Sequence, residues 1–299
     1  MQADNKYENI FDKGCLVQLS VSIWGGVKKI DERKAKEALG SEWAKARKSL
    51  VDPEALKEIG KVRNAARNYL RGMSLPFPIH GVSFVGFGAI SKIDEKLKEF
   101  EEGFKGESEK FFGEYEEAIK KAREMLGDLF DLTDYPGDIR PFFDFEWRFI
   151  TLQSPGQNSL IDPELVEREK KKFIDTMERA REMGVLALRE EFRGILKSCV
   201  ERLSDGVEGK KKIFRDSMIG NFFDFFETFK SRNIFQDESL KVLCEQAEGI
   251  LRGVDVESLR EDDGLRKVVK MSMEGIEGVL EKAIEEMPGR KLRLSEDEG

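Results

Sequence analysis

Residues 162–203 read DPELVEREKKKFIDTMERAREMGVLALREEFRGILKSCVERL, and this stretch sets the fold class. The opening Asp-Pro-Glu supplies an N-cap residue, a first-turn proline and an acid beside the positive end of a helix. Apolar residues then recur every three or four positions, which predicts one amphipathic helix of about 60 Å. Because a helix this long is stable only along a partner, we expect a helical bundle.

Helical patterns also fill most of the chain outside this stretch. The further predicted helices span residues 31–50, 52–71, 91–126, 209–232, 238–252 and 256–286. Alternating or β-rich segments predict three strands, at 15–23, 82–87 and 142–152. In the last of them, four aromatic residues alternate with charged ones between Phe143 and Phe149, which is the strongest strand signal in the chain.

These elements predict a mainly α protein of the α+β class. A small three-stranded sheet is expected in the N-terminal half, together with an elongated bundle of long helices packed in coiled-coil fashion. A Pro/Gly loop at residues 153–158 marks the change in character. The predicted division is therefore a sheet-containing region at 1–152, with basic helices and one long helix, and an all-helical bundle at 153–299.

The composition argues against an enzyme. Of 299 residues, 37% are charged and only one is histidine, His80. The three cysteines, Cys15, Cys199 and Cys244, form no CxxC pair. Acid–base, nucleophilic and metal chemistry depend on these residue types. We therefore expect no catalytic residue, no cofactor and no metal site.

The sequence predicts neither export nor insertion into a membrane. Residues 1–13 are polar and lack the apolar core of a signal peptide. No apolar run approaches the ~20 residues needed to cross a bilayer. Three unpaired cysteines fit reduced thiols. We expect a cytoplasmic protein that does not act at a membrane.

Charge asymmetry is the first candidate functional feature. Residues 28–71 hold 13 Lys/Arg and 7 Asp/Glu, which is a net charge of +6. Because the whole chain has a net charge of −8, the residues outside this segment carry −14. Two aromatic residues lie among the cations and can stack on bases. The candidate surface for nucleic acid or an acidic partner comprises Lys28, Lys29, Arg33, Lys45, Arg47, Lys48, Arg63, Arg67, Trp43 and Tyr69. The alternative is a set of solvated helix faces paired with acids on neighbouring helices.

A phenylalanine cluster is the second candidate. Helical spacing places four phenylalanines on one side of a helix: Phe222, Phe225, Phe226 and Phe229. Phe223 lies on a different side. The candidate protein interface comprises Phe222, Phe223, Phe226 and Phe229. The alternative is a central core helix.

Two further segments have competing interpretations. Residues 81–90 are apolar or small and are similar to the hydrophobic tongue of helical pore-forming toxins, although a sheet strand explains them as well. Carboxylates between Asp134 and Glu146 have the chemistry to bind Mg²⁺ or act as an acid–base pair. Asp144 and Glu146 lie on the solvent side of the predicted strand, which favours ordinary surface residues.

Several short motifs resemble a bacterial and phage domain family of unknown function. They are Phe11-Asp12-Lys13-Gly14-Cys15-Leu16-Val17, Ser20-Val21-Ser22-Ile23-Trp24-Gly25-Gly26, Arg67-Asn68-Tyr69-Leu70 and Leu75-Pro76-Phe77. Genes of this family lie on prophages and other mobile elements, often beside genes for a MoxR-type AAA+ ATPase and a von Willebrand A-type protein related to cobaltochelatase subunits. The resemblance covers most of the chain and is best over the first 150 residues. It implies a non-enzymatic component that works with an ATPase.

Four functions therefore compete. The first is a helical interaction or assembly protein, homo-oligomeric, that partners a AAA+ ATPase and a von Willebrand A-type protein on a phage or mobile element. The second is a nucleic-acid-binding protein that uses the basic helices in residues 28–71. The third is a pore-forming-type protein that uses residues 81–90. The fourth is an enzyme with carboxylate-only chemistry or an unrecognised cofactor.

Overall fold

The computed structural model describes residues 10–41, 43–153, 162–204, 216–254 and 256–287. Its fold is mainly α within the α+β class, which confirms the prediction. The helices are α1 (Glu32–Leu39), α2 (Lys57–Met73), α3 (Ile90–Leu126), α4 (Pro163–Leu203), α5 (Asp216–Arg232), α6 (Glu238–Leu251), α7 (Val256–Glu261) and α8 (Asp263–Glu285). The strands are β1 (Gly14–Ser22), β2 (Val27–Lys29), β3 (Arg47–Ser49), β4 (Leu75–Pro76), β5 (Ser83–Gly86) and β6 (Asp144–Ile150).

The chain forms two compact units that interleave along the sequence. The first unit combines residues 1–16, 72–90 and 150–299, and the second combines residues 17–71 and 91–149. The predicted division at residue 152 follows a change in sequence character. The units instead join segments that are far apart in the chain.

Helix α4 organises the first unit. Its N-cap is the predicted one, because the Asp162 side chain accepts a hydrogen bond of 2.9 Å from the backbone N–H of Glu164. The helix packs along α8, α5 and β4. Leu188, Phe192 and Leu196 of α4 are fully buried in the core of this unit. The long amphipathic stretch therefore forms one helix within a bundle.

A buried ion pair joins three helices of this bundle. Arg189 of α4 donates from Nε and Nη2 to the two carboxylate oxygens of Asp237, at 2.7 and 3.1 Å. Its third nitrogen donates to the backbone carbonyl of Ala283 in α8 at 2.7 Å. Asp237 also caps α6 by accepting from the N–H of Leu240. This network satisfies a buried charge and fixes the ends of two helices against α4.

The main sheet has four strands in the order β4-β5-β1-β6, one more than the small three-stranded sheet that the sequence predicts. The additional strand of this sheet is β4, a two-residue element that pairs antiparallel with β5 in the register Leu75↔Phe84. The sequence does not predict β4, because Pro76 lacks the backbone N–H that a strand donates to its neighbour. A Cβ at Gly14 would lie 2.1 Å from the Val85 carbonyl oxygen, so only glycine lets β1 begin beside β5.

Aromatic packing forms the core of the second unit. The Trp24 ring meets Tyr115 of α3 edge-on, at 5.7 Å between centroids. Phe104 of α3 packs on Phe145 of β6 at 5.6 Å. The residues of β6 alternate as the sequence predicts, with the aromatic side chains turned inward and the charged ones exposed.

Two predicted helices were wrong. Residues 31–50 form the short helix α1, which ends at Gly40 with φ +67°, and then strand β3. Residues 256–286 form two helices, because Asp262 breaks the segment and caps α8 by accepting from the N–H of Leu265. The segment 209–215 of another predicted helix lies outside the described residues.

Candidate interaction surface

Strands β2 and β3 form a separate two-stranded antiparallel ribbon of mostly basic residues. Lys28 lies opposite Lys48, and Lys29 lies opposite Arg47. Directly opposed residues share a face of such a ribbon, and successive residues alternate between its faces. The Lys28–Lys48 pair and the Lys29–Arg47 pair therefore lie on opposite faces. This arrangement replaces the basic helix that the sequence predicts here.

The lysines of the first of these faces share one carboxylate of the second unit. Lys48 Nζ lies 2.6 Å from Asp134 Oδ2, and Lys28 Nζ lies 3.4 Å from Oδ1 of the same carboxylate. The side chains of Lys48 and Asp134 are only 9% and 11% exposed. Hydrogen bonds from Thr133, and then the charges of Lys48 and Lys28, lower the pKa of the neighbouring Asp131. Lys28 and Lys48 thus hold the ribbon to the loop at residues 131–134.

The opposite face carries Lys29 and Arg47, both exposed. Among the residues that the structure describes, neither side chain forms an ion pair. Like charges directly opposite each other on neighbouring strands are destabilising. Lys29 also borders a cleft of about 350 Å³ whose wall includes Asp31 and Asp128. The wall of the same cleft also includes Asp131 and Asp134, so carboxylates lie near Lys29 although none of the described ones forms an ion pair with it. Arg47 does not line this cleft.

An exposed tryptophan precedes β3. Trp43 is 94% exposed, the highest value among the large apolar side chains of the described residues. Its backbone N–H donates to Ser41 Oγ at 3.3 Å. Lys45 follows it and is also exposed. We call Lys29, Trp43, Lys45 and Arg47 the basic ribbon, a surface that offers three cations and an aromatic ring.

The other predicted members of the basic surface lie on helices. Arg33 is an exposed residue of α1, while Arg63 and Arg67 belong to α2. Tyr69 is not available for stacking, because its ring packs on Phe100 at 6.0 Å and its hydroxyl donates to the Lys92 carbonyl. Burial raises the pKa of Tyr69.

The phenylalanine cluster lies mainly in the core of the first unit. Phe222 and Phe229 are buried, and Phe226 is half-buried. The Phe225 ring stacks on Phe192 of α4 at 5.2 Å. Phe223 alone of the four predicted interface residues is exposed, at 48%. The helical spacing correctly separates Phe223 from its neighbours, but it cannot say which side faces the core.

Residues 81–90 take part in the sheet and its packing. Phe84 and Val85 are buried in β5. A Cβ at Gly86 would lie 2.9 Å from the Ser231 carbonyl oxygen, so glycine permits a close approach of backbones. Release of this segment as a membrane tongue would require β5 to leave both neighbouring strands. None of the described helices combines the length and the apolar character that crossing a bilayer requires.

The described residues were also compared with the arrangements that metal binding and catalysis require. In the described residues, no group of three or more His, Cys, Asp or Glu side chains has a metal-binding arrangement. Glu146 binds the guanidinium of Arg148, and His80 is exposed in a turn. All three cysteines are buried and reduced, and burial raises the pKa of Cys199 to about 12. Sequence reasoning missed Asp134 as the counter-ion of Lys48, since nothing local links the two residues.

Comparison with known proteins gives one match. A family model described as "Protein of unknown function (DUF3150)" matches residues 11–183. No curated protein and no solved structure matches the chain.

Proposed function

Because this chain belongs to the DUF3150 family of proteins of unknown function, its own surfaces must indicate its role, and we propose that it is a non-enzymatic interaction protein. In this proposal the basic ribbon binds an acidic surface of a partner protein. The support is the facing pair of Lys29 and Arg47, which are exposed and make no ion pair among the described residues. An external anion would remove their mutual repulsion.

The charge of the whole molecule makes this surface selective. The chain carries a net charge of −8, so an acidic partner is repelled by most of its surface. Exposed charges more than about 10 Å apart are largely screened at ordinary salt. Local contacts at the basic ribbon therefore outweigh the distant negative charge and fix the orientation of the partner.

The partner that we propose is a MoxR-type AAA+ ATPase, acting with a von Willebrand A-type protein on a phage or other mobile element. The support is a resemblance to a family encoded beside such genes, carried by the motifs Phe11–Val17, Ser20–Gly26, Arg67–Leu70 and Leu75–Phe77. The near absence of histidine and the burial of the cysteines favour a binding role over catalysis.

Charge reversal tests this proposal. We expect the double variant Lys29→Glu/Arg47→Glu to reduce capture of the co-encoded ATPase about tenfold or more, because attraction becomes repulsion. The matched control is Lys171→Glu/Arg181→Glu, which changes the net charge equally at exposed positions of α4. Equal capture by the wild type and both variants, or an equal loss in both variants, would contradict a role for the basic ribbon. Circular dichroism establishes that each variant is folded.

Nucleic acid is the second candidate ligand, and one observation favours it. Trp43 is almost fully exposed within two residues of Lys45 and four of Arg47. Aromatic rings beside cations bind single strands by stacking, at about 1–3 kcal/mol per base. We expect quenching of Trp43 fluorescence by a single-stranded oligonucleotide, a loss of affinity in Trp43→Ala and its recovery in Trp43→Phe. Absence of binding at low salt would exclude this function.

A further inference from the structure

Helix α8 has an apolar stripe on its outer side. Val268, Met271, Gly275 and Val279 are all exposed, and Met271 is 71% exposed. Their spacing of three, four and four residues places them in one line along the helix. The stripe begins one turn after the N-terminus of α8 and ends about two turns before its last residue.

This stripe is separate from the side of α8 that forms the core. The buried residues of the helix are Arg266, Val269, Met273, Ile276, Leu280 and Ile284. A surface helix ordinarily has one apolar side and one polar side. A second apolar line exposed to solvent is typical of an interaction surface.

Charged residues flank the stripe asymmetrically. Lys267 lies beside its N-terminal end, and Glu281 lies on the same flank four turns later. Glu274, midway between them, has a counter-ion in its own helix, since Lys270 Nζ lies 3.4 Å from its carboxylate. The flank therefore changes from basic to acidic along the helix.

We propose that a second copy of this chain docks antiparallel on this stripe and forms an isologous dimer. A twofold axis near residues 273 and 274 places Val268 opposite the partner's Val279, and Met271 over the partner's Gly275. Nothing lies within 4 Å of a Cβ placed at Gly275, so this glycine leaves a hollow for the flexible Met271 side chain. The same axis brings Lys267 near the partner's Glu281. The surface is thus complementary to itself in both shape and charge.

This proposal goes beyond the proposed function and does not depend on it. The stripe belongs to the first unit and the basic ribbon to the second. Self-association needs only the purified chain, so its failure and the failure of ATPase binding are separate results.

Light scattering after size exclusion tests the dimer. We expect the wild type, at tens of micromolar, to have twice the 34.3 kDa mass of one chain. Met271→Glu is expected to have the mass of one chain, because it places charge in the centre of the stripe. The matched control is Met125→Glu, an equally exposed methionine of α3, which should remain dimeric. A wild type of single-chain mass, or equal dissociation by both variants, would overturn the proposal.

A charge exchange tests the antiparallel arrangement. Lys267→Glu and Glu281→Lys should each weaken the dimer by about tenfold, because like charges then face each other across the interface. The double variant restores opposite charges and should recover most of the affinity. If the double variant is as weak as the two losses combined, the two residues do not face each other and the arrangement is wrong.

Discussion

Four basic residues in the β2–β3 ribbon show how position, and not residue type, assigns a role. Lys28 and Lys48 share Asp134 as counter-ion, while Lys29 and Arg47 on the other face have none among the described residues. The sequence predicts the charge of this segment correctly. It could not separate the two pairs, because the separation depends on strand register and on a carboxylate far along the chain.

The buried Lys48–Asp134 pair gives a stability prediction. We expect Asp134→Ala to lower the free energy of unfolding by about 2 to 4 kcal/mol, since it leaves the ammonium of Lys48 buried without a counter-ion. Urea denaturation measures this change. The control is Glu117→Ala, whose partner Lys120 is exposed, and which should cost about 0.5 kcal/mol or less. A similar loss in both variants would show that the Lys48–Asp134 pair is only a surface ion pair.

Trp43 and Tyr69 also have different roles despite their similar sequence surroundings, because one is exposed and the other is packed. The sequence groups them as two aromatic residues among cations, but Tyr69 lies beside the apolar side of α2 and packs on Phe100. Its neighbours Ala66 and Leu70 are buried, which is the local signal that it would be drawn inward. Trp43 instead lies between α1 and β3, outside both elements, and remains exposed.

Among the elements, those with long and regular patterns were predicted well. Helices α3 and α4 begin and end within two residues of the predicted positions, because their patterns continue over many turns. Residues 31–50 were predicted wrongly as one helix. Their Ala, Lys and Glu content favours helix, but pairing with β2 extends residues 47–49, and such non-local pairing overrides a weak local preference.

Two glycines of α4 should respond oppositely to added side chains. A Cβ at Gly184 would lie 2.7 Å from the Phe235 ring and 3.2 Å from Leu75, whereas the space around Gly194 is open. We expect Gly184→Val to destabilise the chain by about 1 to 3 kcal/mol through overpacking. Gly194→Ala should instead stabilise it by up to about 1 kcal/mol through helix propensity. Thermal unfolding distinguishes these signs. A Gly184→Val variant as stable as the wild type would indicate that α4 does not pack on β4 as described, and a loss in Gly194→Ala would indicate that the space around Gly194 is not open.

For the whole molecule, the fold class could be read from the sequence but the assembly of the units could not. Beyond residue 152, the elements that the structure describes are all helices. Yet residues 72–90 join the C-terminal helices in one unit, because Leu75, Phe77 and Phe84 belong to the same core as α4. Only contacts between distant segments reveal this, and periodicity reports only local order.

At this scale the proposed function depends on one electrostatic contrast, a small basic ribbon on a molecule of net negative charge. Lys28 and Lys48 bind Asp134, whereas Lys29, Lys45 and Arg47 are exposed and are the cations that we propose contact the partner. Removal of these cations should therefore affect binding far more than stability.

The decisive measurement is the dissociation constant for the proposed partner, a MoxR-type ATPase, as a function of salt, for the wild type and for Lys29→Glu/Arg47→Glu. The wild type should bind more weakly as salt rises, because exposed charges are screened. The variant should bind at least about tenfold more weakly at low salt and show little salt dependence. Equal affinities in the two proteins, unchanged by salt, would contradict a binding role for the basic ribbon.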